Sequence, residues 1–290
     1  MKTIGVVGNG FVGQAMDVFR PFVEVLMWDI DSQKREPLNL NYEDFVNSCE
    51  IIFISVPTPM DNDGECHLGI VKESIQSIRN IDPNKDIVIR STVIPGVSDS
   101  LDVSFMPEFL TESNWRQDFV SCKHWIIGTH SDRIEEKFKN ILEDVYNKGD
   151  GNIYTKEYTR CLPAEAELVK YIKNVFLSVK VSFFNEIHEY CARKGIDFDK
   201  AREASTQDAR IGSGHSFVPG PDGSYGFGGT CFPKDSSALL KDIEKIGLNS
   251  YIIDAAVKRN NLVDRPEKDW QNDKGRAVVD GEKPECPEGS

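Results

Sequence analysis

The chain has 290 residues, 39% hydrophobic and 28% charged, the balance of a globular protein rather than a disordered or membrane-spanning one. Its formal net charge of −13 excludes the basic face that a nucleic-acid partner requires, but leaves room for a small anion held by a few local cations and backbone N–H groups. Seven cysteines without a C-x-x-C pair read as reduced thiols; neither Cys66-His67 nor Cys122 with His124 has the second pair of zinc spacing, so no metal is expected.

In chain order, Thr3–Val7 is a short apolar run closed by Gly8, and residues 11–20 can form a helix. Residues 23–28 and 51–56 read as strands, and 87–89 begins another. Helical stretches lie between, as at 68–79, and the alternation continues with 124–128 and a helix over 131–146. Strand and helix in turn predict a Rossmann-like, doubly wound parallel sheet. The texture then changes. From Pro163 to Lys194 no glycine and no further proline occurs, and Leu168, Ile172, Val175, Phe176, Val179, Phe183 and Ile187 recur at helical spacing. One long helix is predicted, with Pro163 in its first turn and Gly195 as its stop. Shorter helices are expected at 197–206, 235–246 and 250–262, so the fold class is α/β with an all-helical second domain. The expected domains are 1–158, 159–265 and a loose, polar tail over 266–290. No apolar run approaches the ~20 residues of a membrane span, and the N-terminus lacks a leader pattern, so a cytoplasmic chain without membrane contact is expected.

Two sites stand out. Residues 8–13, GNGFVG, fit G-x-G-x-x-G between a predicted strand and a predicted helix, and Asp29 closes the next strand. Gly8, Gly10 and Gly13 would let the backbone of Phe11 and Val12 approach a pyrophosphate, while Asp29 would accept the ribose hydroxyls and repel a 2′-phosphate. NAD is the expected cofactor. The second site is Cys231 in GFGGTCFPKD, at the end of a glycine-rich stretch. Such a stretch reads either as a surface loop or as a backbone that wraps a ligand. A following helix and Lys234 would favour the thiolate, against the alternative of an inert cysteine. Lys170 and Asn174 share a face of the long helix, at or beside its apolar stripe; they read as a solvated pair or as oxyanion donors. Glu108 and Glu112 are likewise four apart, either surface acids or a base and a cofactor contact.

Together these residues resemble the UDP-glucose/GDP-mannose dehydrogenase family. The resemblance rests on GVVGNGFVG, SVPTP (55–59), STVIPG (91–96), PEFLTES (107–113), EAELVKYIKNVFLSVKVSFFNEI (165–187), ARIG (209–212) and GFGGTCFPKD, in that order. It implies oxidation of a nucleotide sugar, UDP-glucose first, at C6 with two NAD, through a thiohemiacetal and a thioester on Cys231. Lys170 and Asn174 then stabilise the oxyanion, Glu108 is the base for hydrolysis, and Asp235 with Thr92 orders water. Lys34, Thr58, Ser91, Glu112 and Lys234 become cofactor contacts. Phe109, Leu110, Tyr225, Gly226, Phe227 and Gly228 cradle the substrate, Arg210 reaches it from a second copy, and the long helix forms a homodimer. The family also carries a third, C-terminal α/β domain; residues 266–290 have no strand–helix alternation to match it, which implies a short form, a fragment or half of a split enzyme. Two other readings stand beside this one. One is a two-electron β-hydroxyacid-type dehydrogenase, which would leave Cys231 unused. The other is a non-catalytic NAD-binding dimer that needs a separate C-terminal domain.

Overall fold

The computed structural model describes residues 2–280 except Pro21 and Asp150. It divides into two compact units: Met1–Thr58 with Leu68–Lys170, and Pro59–His67 with the chain from Tyr171 onward. The division differs from the expected one in two respects. It falls inside the long helix, and it assigns the short segment 59–67 to the second unit.

The first unit holds β1 (Thr3–Val7), α1 (Phe11–Gln14), β2 (Glu24–Trp28), α2 (Tyr42–Ser48), β3 (Ile51–Ile54), α3 (Gly69–Ile81), β4 (Ile87–Ile89), α4 (Val97–Ser100), β5 (Ser104–Phe105), α5 (Trp115–Val120), β6 (Trp125–Gly128), α6 (Asp132–Lys148), β7 (Tyr158–Cys161) and the start of α7 (Pro163–Lys194). The strand order is β2-β1-β3-β4-β5-β6-β7. Every pairing is parallel except β5 with β6. Strand period two sends alternate side chains to opposite faces. Ile4, Val6, Ile51 and Phe53 join one core cluster with Phe19, Phe119, Phe138 and Leu142. Val7, Ile52, Ile54, Ile87 and Ile89 join the other with Phe45, Val71 and Ile75. Both faces are covered, as a parallel sheet requires. The predicted helix over 11–20 is one α-helical turn followed by a 3-10 stretch, Ala15–Phe19. The polar edge strand β7 carries no apolar run, so its sequence does not announce it.

In the second unit α7 continues, followed by α8 (Phe198–Thr206), α9 (Phe232–Lys245) and α10 (Tyr251–Arg259), which ends in a π-helical turn at Asn260–Asp264. The expectation of a loose tail does not describe residues 266–280. Trp270 and Ala277 are buried. The Met60 N–H donates to Ala277 O at 2.9 Å, and the Val279 N–H donates to Met60 O at 3.0 Å. A few well-placed apolar residues and ladder bonds order a stretch whose composition is polar. The remainder of the expected tail, 281–290, lies outside the described residues.

The long helix departs most from its pattern. Most of its apolar stripe faces outward: Ile172 is 56% and Phe176 63% exposed, with Leu168, Phe183 and Tyr190 also exposed, whereas Val175 is buried and Val179 and Ile187 are half-buried. The buried side is mixed: Glu167, Lys170, Asn174, Ser178, Ser182 and Asn185 lie buried along with Ala166, Tyr171, Val175, Phe184 and Cys191. Lys170 and Asn174 do share a face, but it is opposite the stripe rather than beside it. Buried polar groups need partners, and these have them. Glu167 accepts the Gly96 and Ser98 N–H groups at 2.6 and 2.8 Å, and the Ser178 hydroxyl donates to Asn174 O at 2.9 Å.

Candidate active site

The first unit builds a dinucleotide site at the carboxyl ends of β1 and β3, where the strand order reverses, the usual ligand position in such sheets. Three glycines have three different reasons. Gly8 has φ +92°, and a Cβ there would stand 2.6 Å from Ser55 O. A Cβ on Gly13 would lie 1.9 Å from Gly8 O, so that glycine lets the helix close on the turn. Gly10 has no atom within 4 Å of where a Cβ would be. Its backbone is therefore open to a phosphate, a cradle that a side chain would fill.

Asp29 follows β2 and is held facing this turn. The Asn9 N–H donates to its Oδ2 at 2.8 Å and the Asp31 N–H to its Oδ1 at 2.9 Å. Each oxygen keeps a lone pair for a ribose hydroxyl. Ser91, buried, donates its hydroxyl to Val56 O at 2.7 Å, and Thr58 is buried in the loop after β3. Val12 O accepts from Arg90 Nη1 at 3.1 Å, while Phe11 is half-buried. The open backbone at Gly10 and the placed carboxylate fit NAD. Lys34 fits less well: its ammonium is 3.9 Å from Asp31, and it is its carbonyl that accepts from Asn9 Nδ2 at 2.7 Å. The cation fixed beside Asp29 is Arg35, which sequence reasoning missed. Its guanidinium lies 3.7 Å from the Trp28 ring centroid, and its Nε donates to Asp29 O at 3.0 Å. The signal for it was an arginine one residue past the predicted lysine.

The same unit buries a charge pair. Lys170 Nζ donates to Glu108 Oε1 and to Glu108 O, each at 2.7 Å, and the Leu110 N–H donates to Glu108 Oε2 at 2.8 Å. Burial alone would push the Glu108 carboxyl up. The Lys170 ammonium, the Leu110 N–H and the Arg90 guanidinium outweigh it and hold the group below the usual carboxylate range. Arg90 is itself fully buried, and burial pulls its guanidinium down to about 10 against the attraction of Glu108. This second cation near Glu108 was also missed, because nothing in an isolated arginine after a strand predicts burial. The Phe109 ring centroid is 5.8 Å from Lys170 Nζ. Thr92 is buried, and Glu112 is exposed in a 3-10 turn, Glu112–Asn114.

The second unit gathers the thiol site. Cys231 is half-buried at the N-cap of α9, with Thr230 Oγ1 3.7 Å from its Sγ. Asp235, 1% exposed, takes Lys234 Nζ on Oδ1 and Asn174 Nδ2 on Oδ2, each at 2.6 Å. Its N–H donates to Cys231 O at 2.9 Å, the first intrahelical bond of α9. Burial works to lower the pKa of Lys234, but the charge of Asp235 and the neighbouring thiols of Cys231 and Cys66 raise it above that of an ordinary lysine. The group beside the thiol is thus a firm ammonium, paired with Asp235. In the sequence Cys66 is only half of a metal pair without its partner; its place near Lys234 comes from the fold of 59–67. Among the described residues, no three His, Cys, Asp or Glu side chains gather as metal ligands, and no helix is long and apolar enough to cross a membrane.

The glycine-rich loop ahead of Cys231 is ordered. Gly226, Phe227 and Gly228 pack on buried side chains, and the exposed Tyr225 ring lies 5.7 Å from that of His188. Arg210 is 89% exposed and forked onto Asp208, with Nη2 2.5 Å from Oδ2.

Comparison with known proteins matches residues 38–149 to the NAD binding domain and 164–262 to the central domain of the UDP-glucose/GDP-mannose dehydrogenase family. The UDP-glucose 6-dehydrogenase YwqF of Bacillus subtilis is 30% identical over 84% of this chain, and that of Rickettsia bellii 33% identical over 83%. In each case the chain spans 56% of the relative's length. A UDP-glucose dehydrogenase structure from Pyrobaculum islandicum superposes with a TM-score of 0.76 at 29% identity, covering 90% of this chain and 68% of the other. Matched over both domain models, with the glycine turn, the buried Lys170–Glu108 pair and the Cys231 segment in place, the chain belongs to the UDP-glucose/GDP-mannose dehydrogenase family and carries its NAD binding domain.

Proposed function

We propose that the chain oxidises the C6 alcohol of a nucleotide sugar, UDP-glucose by preference, to the carboxylate, with Cys231 as the covalent nucleophile. The observation that carries this reading is the cluster of Cys231, Lys234, Asp235 and Asn174. A half-buried thiol at a helix N-cap, with an ammonium and a buried carboxylate within the next four residues, suits attack on an aldehyde better than a passive place in a core. NAD, held by the Gly8–Gly13 turn and Asp29, supplies the hydride acceptor for each of two oxidations.

Between the two, the Cys231 thiolate adds to the C6 aldehyde and the carbonyl oxygen takes up a proton, giving a thiohemiacetal. Its oxidation leaves a thioester. Water then adds to that carbonyl, a base takes the proton, and the thiol leaves as the carboxylate forms. Covalent capture keeps the aldehyde from escaping between oxidations. In this reading the Lys170 ammonium and the Asn174 amide stabilise the developing oxyanion. Glu108 receives the role of base in hydrolysis, and Asp235 and Thr92 that of ordering the water. Thr58, Ser91, Glu112 and Lys234 are read as cofactor contacts, and Phe109, Leu110 and Tyr225–Gly228 as contacts to the sugar nucleotide. The outward apolar face of α7, with the open cavity lined by Phe176, Phe183, Phe184, Phe198 and Arg210, is read as the surface that a second copy covers.

The test is the NADH formed per limiting UDP-glucose. About two are expected from the thioester route, and none of the acid from Cys231→Ala. A ratio near one that is indifferent to Cys231→Ala would replace this reading with a two-electron oxidation. NAD binding without turnover on any nucleotide sugar would reduce the chain to a cofactor-binding module.

A further inference from the structure

The loop 222–228 is glycine-rich, yet it is pinned from both ends by buried side chains. Asn260 opens the π-helical turn that ends α10, with the Arg265 N–H donating to Asn260 O at 2.8 Å. The asparagine is 0% exposed. Its amide spans a single peptide residue of the loop: Oδ1 accepts the Phe227 N–H at 2.7 Å, and Nδ2 donates to Phe227 O at 3.0 Å. A side-chain amide offers one acceptor and a donor pair side by side, so it pairs with one residue as a neighbouring strand would. Beside it, the Gly226 N–H donates to Asn185 Oδ1 at 3.1 Å. Gly226 has φ +67°, and a Cβ there would stand 2.4 Å from Asn260 Oδ1. A Cβ on Gly228 would be 2.4 Å from Arg265 Cζ. Arg265 in turn forks onto Asp222 Oδ2 at 2.7 Å and onto Asp269 at 2.8 and 2.7 Å.

We infer that Asn260 is a positioning residue for substrate binding, one that fixes the backbone of the 222–228 loop in the conformation that receives the nucleotide sugar. The inference rests on the proposed reading of that loop as a substrate contact. A glycine-rich segment left to itself samples many conformers, and a ligand that must order it loses affinity accordingly. Asn260 removes that cost in advance. The π turn is the local irregularity that presents its amide to the loop; such turns recur at functional positions in helices. Asn260 acts through the Phe227 backbone, and both residues lie in the second unit.

The test combines hydrogen exchange with calorimetry on the full chain. In Asn260→Ala, exchange at the amides of residues 226–228 is expected to accelerate while α9 and the start of α10 keep their protection. UDP-glucose binding should weaken about tenfold and NAD binding should not change. Asn185→Ala removes the neighbouring bond, to the Gly226 N–H. Once Asn260→Ala has freed the loop, this second substitution has little left to release, so the double variant should bind UDP-glucose within about twofold of the Asn260→Ala single variant, rather than showing the product of two independent losses. Exchange at 226–228 left as in the wild type, equal weakening of NAD and UDP-glucose, or losses that multiply would each overturn the inference. A wild-type chain that binds no nucleotide sugar would overturn the functional reading and the ligand part of this inference with it. The Phe227 amide would still decide whether Asn260 holds the loop.

Discussion

Replacing Lys170 by methionine tests whether the buried pair is a coupled unit. The two side chains are 4% and 6% exposed and 2.7 Å apart. Removing the ammonium strands a carboxylate that keeps only the Leu110 N–H and the Arg90 field. Breaking such a pair on one side costs about 3–5 kcal/mol, because an uncompensated charge stays buried. Lys170→Met should therefore lose about that much unfolding free energy at pH 8 by urea titration, while Lys170→Met/Glu108→Gln should recover most of it, since no buried charge is left. The pH dependence has a definite sign. In the wild type the depressed Glu108 contributes stability above the unfolded glutamate pKa of about 4.3, lost as pH falls through the lower folded value. In the variant burial is less opposed, the folded pKa moves up, and the ionised carboxylate becomes destabilising. The gap between the two proteins should narrow as pH falls toward 4.5. A single-variant loss under about 1 kcal/mol, equal at both pH values, would refute the reasoning, since it describes an exposed pair.

The glycines of the turn separate fold from function. Gly13→Ala should lower the melting temperature and abolish NAD binding, since its Cβ meets Gly8 O, whereas Gly10→Ala should melt as the wild type does and lose NAD affinity alone, as read by calorimetry. Cys49 is buried against Phe45, and burial pushes its thiol up to about 12, so at pH 8 it should react with iodoacetamide only after urea unfolds the chain. Phe176→Asp puts a charge on the outward face of α7, where the proposed homodimer would meet; sedimentation should show a dimer becoming a monomer of unchanged circular dichroism, and an unaltered dimer or a monomeric wild type would refute that interface.

The strand–helix alternation, the glycine turn with Asp29 and the long helix were legible because each is a local pattern: period two, period 3.6, or a spacing of about twenty residues. Strand β7 and the ordered stretch 266–280 were not, because an edge strand with an alternating polar face and a segment built on Trp270 and Ala277 carry no apolar run. The pairing of Lys170 with Glu108 and of Asn174 with Asp235 joins residues 62 and 61 positions apart, a separation that no local pattern reports.

By itself, the sequence determined the residue types at the two sites and the elements that carry them. Only the tertiary structure decided which way α7 turns. Its periodicity places Leu168, Ile172, Phe176 and Phe183 on one face, but periodicity is silent on which face meets the core. Here the face that carries Glu167, Lys170 and Asn174 turns inward, because Lys170 and Asn174 find buried carboxylates from other elements, and Glu167 finds the N–H groups of Gly96 and Ser98 at the start of α4. A charge is buried only where its partner already waits, and that partner is named by the fold rather than by its neighbours in the chain.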